Sequence, residues 1–508
     1  MILSFDGHSY RYECEKICRI FFPTEKIVFS DAPALSEDDP RAVRTIAKPT
    51  GANILFRCEA EIDGVYRSDG FYAARPEETD PAAFDAACEK LLAQPMLHVL
   101  SDITGVKPPW GVLTGVRPAK LMRRYIAQYG EAEAMRRFTG PLMVSKEKAA
   151  LACRVALAEN EIAATSADNS FSLYVSVPFC PTRCAYCSFV SHSVAQAKKL
   201  IPDYVRLLCK EIGQTADLAR ELGLRPETVY IGGGTPTSLS AEDLRVIADA
   251  LNGSIDMKNV REFTVEAGRP DTVDREKLSV LKHAGVTRIS INPQTFSDAV
   301  LERIGRRHTA AETIEKYQMA RDMGFDDINM DLIAGLPGDT PEGFAATLDK
   351  AISLAPENIT VHTLALKRSS ELSTEDEASA AGRRDAAPYR ASLTTYDLRH
   401  TTSEMLSYAA QALPAAGYAP YYLYRQSKSA GNLENVGWTK PGKACLYNVF
   451  MMEEIHSVLA VGGGAVTRLA DPRGGRIERV YNFKYPYEYV GRFEEQSERK
   501  DAIRRFYE

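Results

Sequence analysis

From Leu173 onward, short apolar runs recur along the chain: LYVSV, TVYIG from Thr228, FTVEA from Phe263, RISIN from Arg288, INMDLI from Ile328 and ITVHTLAL from Ile359. Each holds four to eight residues between turn-forming residues, the mark of a buried strand. The stretches between them, among them IPDYVRLLCKEIGQTADLARELG, AEDLRVIADALN and PEGFAATLDKAISLA, repeat apolar positions at helical spacing, and several end at glycine. Six strands alternating with helices predict parallel strands joined by crossover helices, an α/β fold in the form of a partial (β/α)6 barrel. In such folds the functional residues sit at the C-terminal ends of the strands.

The first third is mixed. Apolar alternation in YRYECEKICRIFF and NILFRCEAEI predicts strands, whereas DPAAFDAACEKLLAQ and RPAKLMRRYIAQYG predict helices. Beyond about Ser370 the barrel rhythm stops. A polar connection, RSSELSTEDEASAAGRRDAAP, leads to a helix, a loop and the apolar, Gly-rich VLAVGGGAV. The expected organisation is an accessory α+β domain over residues 1–165, the barrel over 166–372, and a smaller C-terminal α+β region over 373–508 that covers the barrel mouth.

The chain has 508 residues, 45% hydrophobic and 26% charged, an ordinary globular composition with room for several domains. No apolar run approaches the ~18–20 residues needed to span a bilayer. The N-terminus lacks the basic start and apolar stretch of a signal peptide, so a cytoplasmic location with reduced thiols is expected. Net charge is -6, and residues 1–110 alone hold 12 Lys/Arg against 18 Asp/Glu. An acidic first third is a poor phosphate binder and argues against a nucleic-acid partner. Seven of the ten cysteines are scattered and read as small buried hydrophobes; Cys14 and Cys18 have the spacing of half a metal site, but no partner pair follows.

The remaining three are different. VPFCPTRCAYCSF, Val177 to Phe189, places Cys180, Cys184 and Cys187 in C-x3-C-x2-C directly after the first strand. Thiolates bind soft metals. A structural zinc site wants four protein ligands; here there are three, with only His192 following. A [4Fe–4S] cluster held by three cysteines keeps one iron open for a small chelating molecule. Three free thiols in an exposed turn would oxidise readily, which argues against a merely structural role. Other polar features stand at strand ends. GGGTP, Gly232 to Pro236, follows the second strand, where bare glycines let backbone approach a ligand and offer its N–H groups. Glu266 ends the third strand, and Asp331 lies inside NMDLIAGLP. A carboxylate in either place costs desolvation unless it has a partner.

LYVSVPFCPTRCAYCSF, IGGGTPTSL, NPQTF, IGRRH and DLIAGLPGDTPEGF together resemble the radical S-adenosylmethionine superfamily. Within it they are similar to the oxygen-independent coproporphyrinogen III oxidases, above all the long coproporphyrinogen dehydrogenase type with an extra N-terminal region. The resemblance covers roughly residues 170–500 and is strong over 170–370. It implies a TIM-like radical SAM barrel with a [4Fe–4S] cluster on Cys180, Cys184 and Cys187. The open iron of that cluster chelates the amino and carboxylate groups of S-adenosylmethionine, and an electron cleaves the sulfonium to a 5′-deoxyadenosyl radical. It also implies site roles. Tyr174 flanks the cluster and orients substrate or radical. Gly233, Glu266 and the backbone at Tyr186, Gly234 and Thr235 surround S-adenosylmethionine. Gln294, Arg306, Asp331 and Ala365 line the same cavity, which in that family can hold a second S-adenosylmethionine.

The reaction so implied is oxidative decarboxylation of coproporphyrinogen III propionates to vinyl groups, giving protoporphyrinogen IX in heme biosynthesis, with an electron donor protein of flavodoxin or ferredoxin type. Lys367, Arg368, Arg425 and Lys428 are candidate partners for the carboxylates of this porphyrinogen substrate. Two departures bear on the function. Phe189 stands where the characterised oxidases carry another cysteine, as in the related heme chaperones. Yet the chaperones' H-N-x-x-Y-W stretch is replaced here by Tyr447, Asn448, Val449, Phe450, Met451 and Met452. GNLENVGW and VEAGRP look like the dehydrogenase type. The competing expectations are a heme-binding chaperone, for which His192, His308 and His362 are the barrel-side histidines, and a radical enzyme acting on another substrate, tRNA included.

Overall fold

The computed structural model describes residues 1–508 except 24, 31–39, 79, 190–191, 366–394, 427–428 and 472–473. The chain divides into two units, Met1–Ala156 with Tyr424–Leu433, and Leu157–Leu423 with Glu434–Glu508.

The first unit is built on a five-stranded sheet of β1 (Ile2–Asp6), β2 (Val28–Ser30), β3 (Arg41–Thr50), β4 (Asn53–Ile62) and β5 (Val65–Ala74), ordered β2-β1-β3-β4-β5. NILFRCEAEI is β4, as its alternation predicts. YRYECEKICRIFF is not a strand: Arg11–Phe21 is a helix that buries Cys14, Ile17, Cys18 and Phe21. Those positions are spaced three and four apart, so the helical face outweighs the shorter alternation. Cys14 and Cys18 share that face, and burial pushes the Cys14 thiol up to about 12. They are core hydrophobes rather than ligands. Arg425, a candidate for substrate carboxylates, is buried in this unit. Its guanidinium donates to the carbonyls of Leu113 at 2.7 Å and Asn432 at 3.1 Å and lies over the Trp110 ring. It ties backbone together through Nε and Nη1. Lys367, Arg368 and Lys428 fall outside the described residues.

In the second unit the six expected strands are present in the expected order: β6 (Ser170–Val177), β9 (Arg225–Gly233), β10 (Glu262–Glu266), β11 (Arg288–Ser290), β12 (Ile328–Ala334) and β13 (Asn358–Thr363). All are parallel, each to the next. Between β6 and β9 the short pair β7 (Phe179–Cys180) and β8 (His192–Ser193) closes the thiol loop. Crossover helices include Ile201–Glu221, Ala241–Ser254, Arg275–His283, Ala310–Asp322 and Pro341–Leu354. Ser240 and Thr309 start two of them with capping boxes, in which a hydroxyl and an acidic side chain satisfy end N–H groups reciprocally.

The sequence pattern does not show that later strands extend this same sheet. β15 (Glu434–Thr439) and then β14 (Ala419–Arg425) follow β13 on one side; β16 (Ser457–Val461), β17 (Val466–Ala470) and β18 (Ile477–Tyr481) follow β6 on the other, making eleven strands among the described residues. The VLAV that opens VLAVGGGAV lies in β16, the parallel partner of β6.

Alternation within the apolar runs decides what faces the lumen. Leu173, Val175, Val229, Ile231, Phe263, Val265, Ile289, Met330, Leu332, Ile359 and Val361 are almost wholly buried. The residues between them, on the opposite face of the pleat, are Tyr174, Tyr230, Glu266, Asn329, Asp331 and His362. Each strand thus turns an aliphatic row to the helices and a polar row to the lumen. No helix among the described residues is long and apolar enough to cross a membrane.

Candidate functional site

The thiol loop is anchored by the glycine turn. Gly234 N–H donates to Val177 O at 2.8 Å and Thr235 N–H to Phe179 O at 2.7 Å. A Cβ on Gly234 would lie 2.6 Å from Phe179 O and 2.8 Å from Phe179 N, so only glycine permits this approach. Thr235 Oγ1 stands 3.5 Å from Cys180 Sγ. The two N–H groups therefore face the loop rather than a ligand, and what Gly234 and Thr235 supply is placement of Cys180. Gly233 has φ +111° and donates its N–H to Glu266.

The other thiols are held equally closely. Phe189 N–H donates to Cys187 Sγ, Arg269 Nη1 reaches Cys184 Sγ at 3.6 Å, and Ala185 N–H donates to Ile304 O at 3.1 Å. Burial raises the Cys187 thiol. Tyr186 packs on the cluster of Val300, Leu301, Ile304, Ile333, Leu336 and Leu364, and its hydroxyl accepts from Arg306 Nη2 at 3.2 Å. Burial works against the Arg306 charge, but Tyr186 and Cys184 outweigh it. Two buried arginines thus face one thiol, an electropositive setting suited to a negatively charged cluster.

Inside the lumen, Tyr174 and Tyr230 are register partners across β6 and β9, and their rings stack at 6.2 Å. Tyr447 stacks on both, 4.4 Å from Tyr230. Tyr447 lies at the start of helix Leu446–Glu453, whose first N–H groups are accepted by Glu262. The place of the chaperones' histidine stretch is therefore occupied by this helix. Tyr230 Oη donates to Glu266 Oε1 at 2.7 Å. Burial pushes the Glu266 carboxyl up to about 7; Tyr230 and Gly233 N–H oppose that, and Asp331 adds to it. Asp331 accepts from Asn292 and Asn329, each at 2.8 Å, and sits 3.7 Å from His362 Nε2. Burial pushes its carboxyl up, but His362 and Asn329 outweigh this and hold it below the usual range.

Gln294 follows β11 in the left-handed region, φ +65°, and is bridged to Leu332. Its Oε1 is buried with no hydrogen-bond partner among the described residues. Ala365, half-buried, follows β13 at the last described position before residue 366.

Tyr174, Gly233, Glu266 and Asp331 therefore share one lumen; Tyr186, Arg306 and Gly234–Thr235 belong to the thiol loop that closes it. Pattern reading passed over Tyr230, Arg269, Asn292 and Asn329; it named Tyr447 only within the altered chaperone stretch and His362 only as a barrel-side histidine. Period-two alternation marks Tyr230, Asn329 and His362 as lumen-facing once the strands are known; nothing local marks Tyr447, which is brought in by the chain's C-terminal third. The barrel-side histidines are not gathered at one place. His308 is buried beside Asp271, His192 packs on Tyr485 and Tyr487, and His362 pairs with Asp331.

The residues present fit an iron–sulfur cluster and S-adenosylmethionine. Among the described residues no three His, Cys, Asp or Glu side chains converge as ligands of one ion; a cubane asks for no such convergence, because each thiolate binds its own iron. Glu266 and Asp331 suit a ligand carrying amino N–H donors and a sulfonium. The buried, unpartnered Gln294 Oε1 suits a hydrogen-bond donor.

The Radical SAM superfamily matches residues 174–351. The oxygen-independent coproporphyrinogen-III oxidase-like protein HemZ of Bacillus subtilis is 36% identical over 431 residues, 84% of this chain and 82% of its own. The heme chaperone HemW of the same organism is 38% identical over 194 residues, 38% of this chain and 50% of its own. The solved coproporphyrinogen III oxidase HemN of Escherichia coli, a radical SAM enzyme, is similar with a TM-score of 0.50 at 24% identity, over 67% of this chain and 73% of its own, a likeness of fold.

Proposed function

The chain belongs to the oxygen-independent coproporphyrinogen-III oxidase-like family of radical SAM proteins, and on that premise we propose that it catalyses oxidative decarboxylation of coproporphyrinogen III propionates to vinyl groups. One observation carries the reading: the thiol loop, the glycine turn and the Glu266 carboxylate are locked together around Gly233, so cluster ligands and a cation-binding carboxylate face one lumen. When bound, the cluster and S-adenosylmethionine together supply a carbon-centred oxidant strong enough to take a hydrogen atom from an unactivated C–H bond.

The chain's own residues supply placement. Cys180, Cys184 and Cys187 hold the cluster, with Arg269 and Arg306 offsetting its negative charge. Glu266, fixed by Tyr230 and Gly233, accepts from the N–H groups of the cofactor's amino nitrogen; Gln294 accepts from a second polar group. Asp331, Arg306 and Ala365 border the space beyond. The stacked Tyr174, Tyr230 and Tyr447 give the lumen a rigid aromatic wall on which one pyrrole ring of the substrate can lie, and which sheds water from the reacting carbon. The electron needed for each turnover comes from a separate donor protein.

A second reading, a heme-binding chaperone, draws on Phe189 and on the likeness to HemW. Anaerobically reconstituted protein given S-adenosylmethionine, reductant and coproporphyrinogen III separates the two. Vinyl product at more than one equivalent supports the oxidase. Tight heme binding without product replaces it with the chaperone, and 5′-deoxyadenosine with neither assigns the radical site to another substrate.

A further inference from the structure

We propose that β5 of the first unit is a pairing edge for a second copy of this chain, whose own β5 adds antiparallel to it and joins the two five-stranded sheets into one. The inference stands on the first unit alone and does not depend on the radical chemistry.

β5 is the last strand of its sheet, and among the described residues no strand covers its outer edge. It runs ten residues, VYRSDGFYAA, without a proline, and residues 65–68, 70, 72 and 74 are exposed. A long edge of this kind offers unmatched N–H and C=O groups to another strand. Here side chains of the strand itself stand in for a partner. Gly70 N–H donates to Asp69 Oδ1 at 2.8 Å, and the Tyr66 carbonyl accepts from Arg67 Nη1 at 2.8 Å. Both backbone groups belong to even-numbered residues, so the even positions turn their polar groups outward.

Residues opposed across a strand pair share a face, so two-fold pairing sets each residue against one of the same parity. Centred on Arg67 or Asp69, the pairing would bring like charges together. Centred on Tyr66 it would set Arg67 against Val65, and centred on Gly70 it would set Asp69 against Phe71. Centred on Ser68, it sets Arg67 against Asp69 of the second copy, Val65 against Phe71 and Tyr66 against Gly70, each twice. Opposite charges and apolar pairs are favourable across strands, and a tyrosine covers the bare backbone of a glycine. In that register Gly70 N–H meets the Tyr66 carbonyl of the second copy. These are the two groups that Asp69 and Arg67 now satisfy, and the released carboxylate and guanidinium become each other's partners. This charge complementarity of the edge with itself selects a second copy as the occupant. One strand pair makes a small interface, below about 1,200 Å², so the dimer should form only at high concentration.

Sedimentation of the full chain at rising micromolar concentration should show a monomer–dimer equilibrium. Arg67→Asp opposes carboxylates at both symmetric positions and should weaken the dimer about tenfold. Arg67→Asp with Asp69→Arg exchanges the charges and should restore it. Under mild oxidation Ser68→Cys should form a disulfide between copies, because residues opposed in a hydrogen-bonded pair lie about 5.5 Å apart, within disulfide reach. Tyr66→Cys, opposed to Gly70, should not. Melting temperatures at the parent value show that the variants are folded. A chain that stays monomeric throughout would overturn the proposal and leave Asp69 and Arg67 as caps that guard the edge. A dimer that ignores the charge reversal and gives no Ser68→Cys link would overturn it by placing the contact elsewhere.

Discussion

Tyr230 donates its phenolic hydrogen to Glu266 Oε1 at 2.7 Å from the neighbouring strand, and Gly232 lies so close beneath the pair that a Cβ there would meet Tyr230 Cε1 at 2.8 Å and Glu266 Cδ at 2.9 Å. The carboxylate is fixed in place by a phenol and by the absence of a side chain.

This pairing sets a pH dependence. Glu266 is held near 7 by burial, so a cationic ligand meets a full carboxylate only above that pH; below it, binding has to expel a proton. Affinity for S-adenosylmethionine should fall about tenfold per pH unit on the acid side. Tyr230→Phe removes an interaction that lowers this group, so the break should move to higher pH. The sign for stability is opposite: a raised carboxyl favours the fold at low pH, and that contribution is lost as pH climbs from 4.5 to about 7. Equilibrium dialysis with labelled cofactor across neutral pH measures the first effect, and a profile without a break refutes it.

Gly234→Ala should loosen the cluster without touching a thiol. Its Cβ would push against the backbone of Phe179, next to Cys180. A destabilisation of about 1–3 kcal/mol is expected from such overpacking. Iron retained per chain after gel filtration should drop well below parent; full retention would show that the turn does not position Cys180.

Arg269 is paired with Asp271 through two hydrogen bonds, at 2.9 and 2.7 Å, and turns its Nη1 to Cys184 Sγ. Hydrogen bonds and positive charge at cluster sulfurs raise the reduction potential. Arg269→Gln should lower the midpoint by tens of millivolts in an EPR-monitored titration while iron content stays near parent. An unchanged midpoint assigns Arg269 to holding Asp271 alone.

Arg425→Met separates structure from substrate binding. The substitution strands the carbonyls of Leu113 and Asn432, which the guanidinium now satisfies, and should cost about 3 kcal/mol of stability in denaturant unfolding. KM for the substrate should stay at the parent value; a selective rise in KM with normal stability would restore the carboxylate-binding role.

The alternation of apolar runs with helical stretches from Leu173 to Ala365 was enough to order six parallel strands, because a buried parallel strand writes its aliphatic row into consecutive sequence. C-x3-C-x2-C was legible for a similar reason: its three thiols sit on one short loop, where spacing is itself geometry. Arg11–Phe21 went to the wrong period because its aromatic and cysteine positions satisfy both alternation and a helical face, and only burial against the sheet chose between them. Tyr447 joins Tyr230 and Tyr174 from more than two hundred positions away, and the strands around Val458 and Trp438 join the two sides of a sheet whose core was already closed in pattern. Such partners are set by long-range packing and by which edge N–H and C=O groups still lack a mate, quantities that no local window of residues contains.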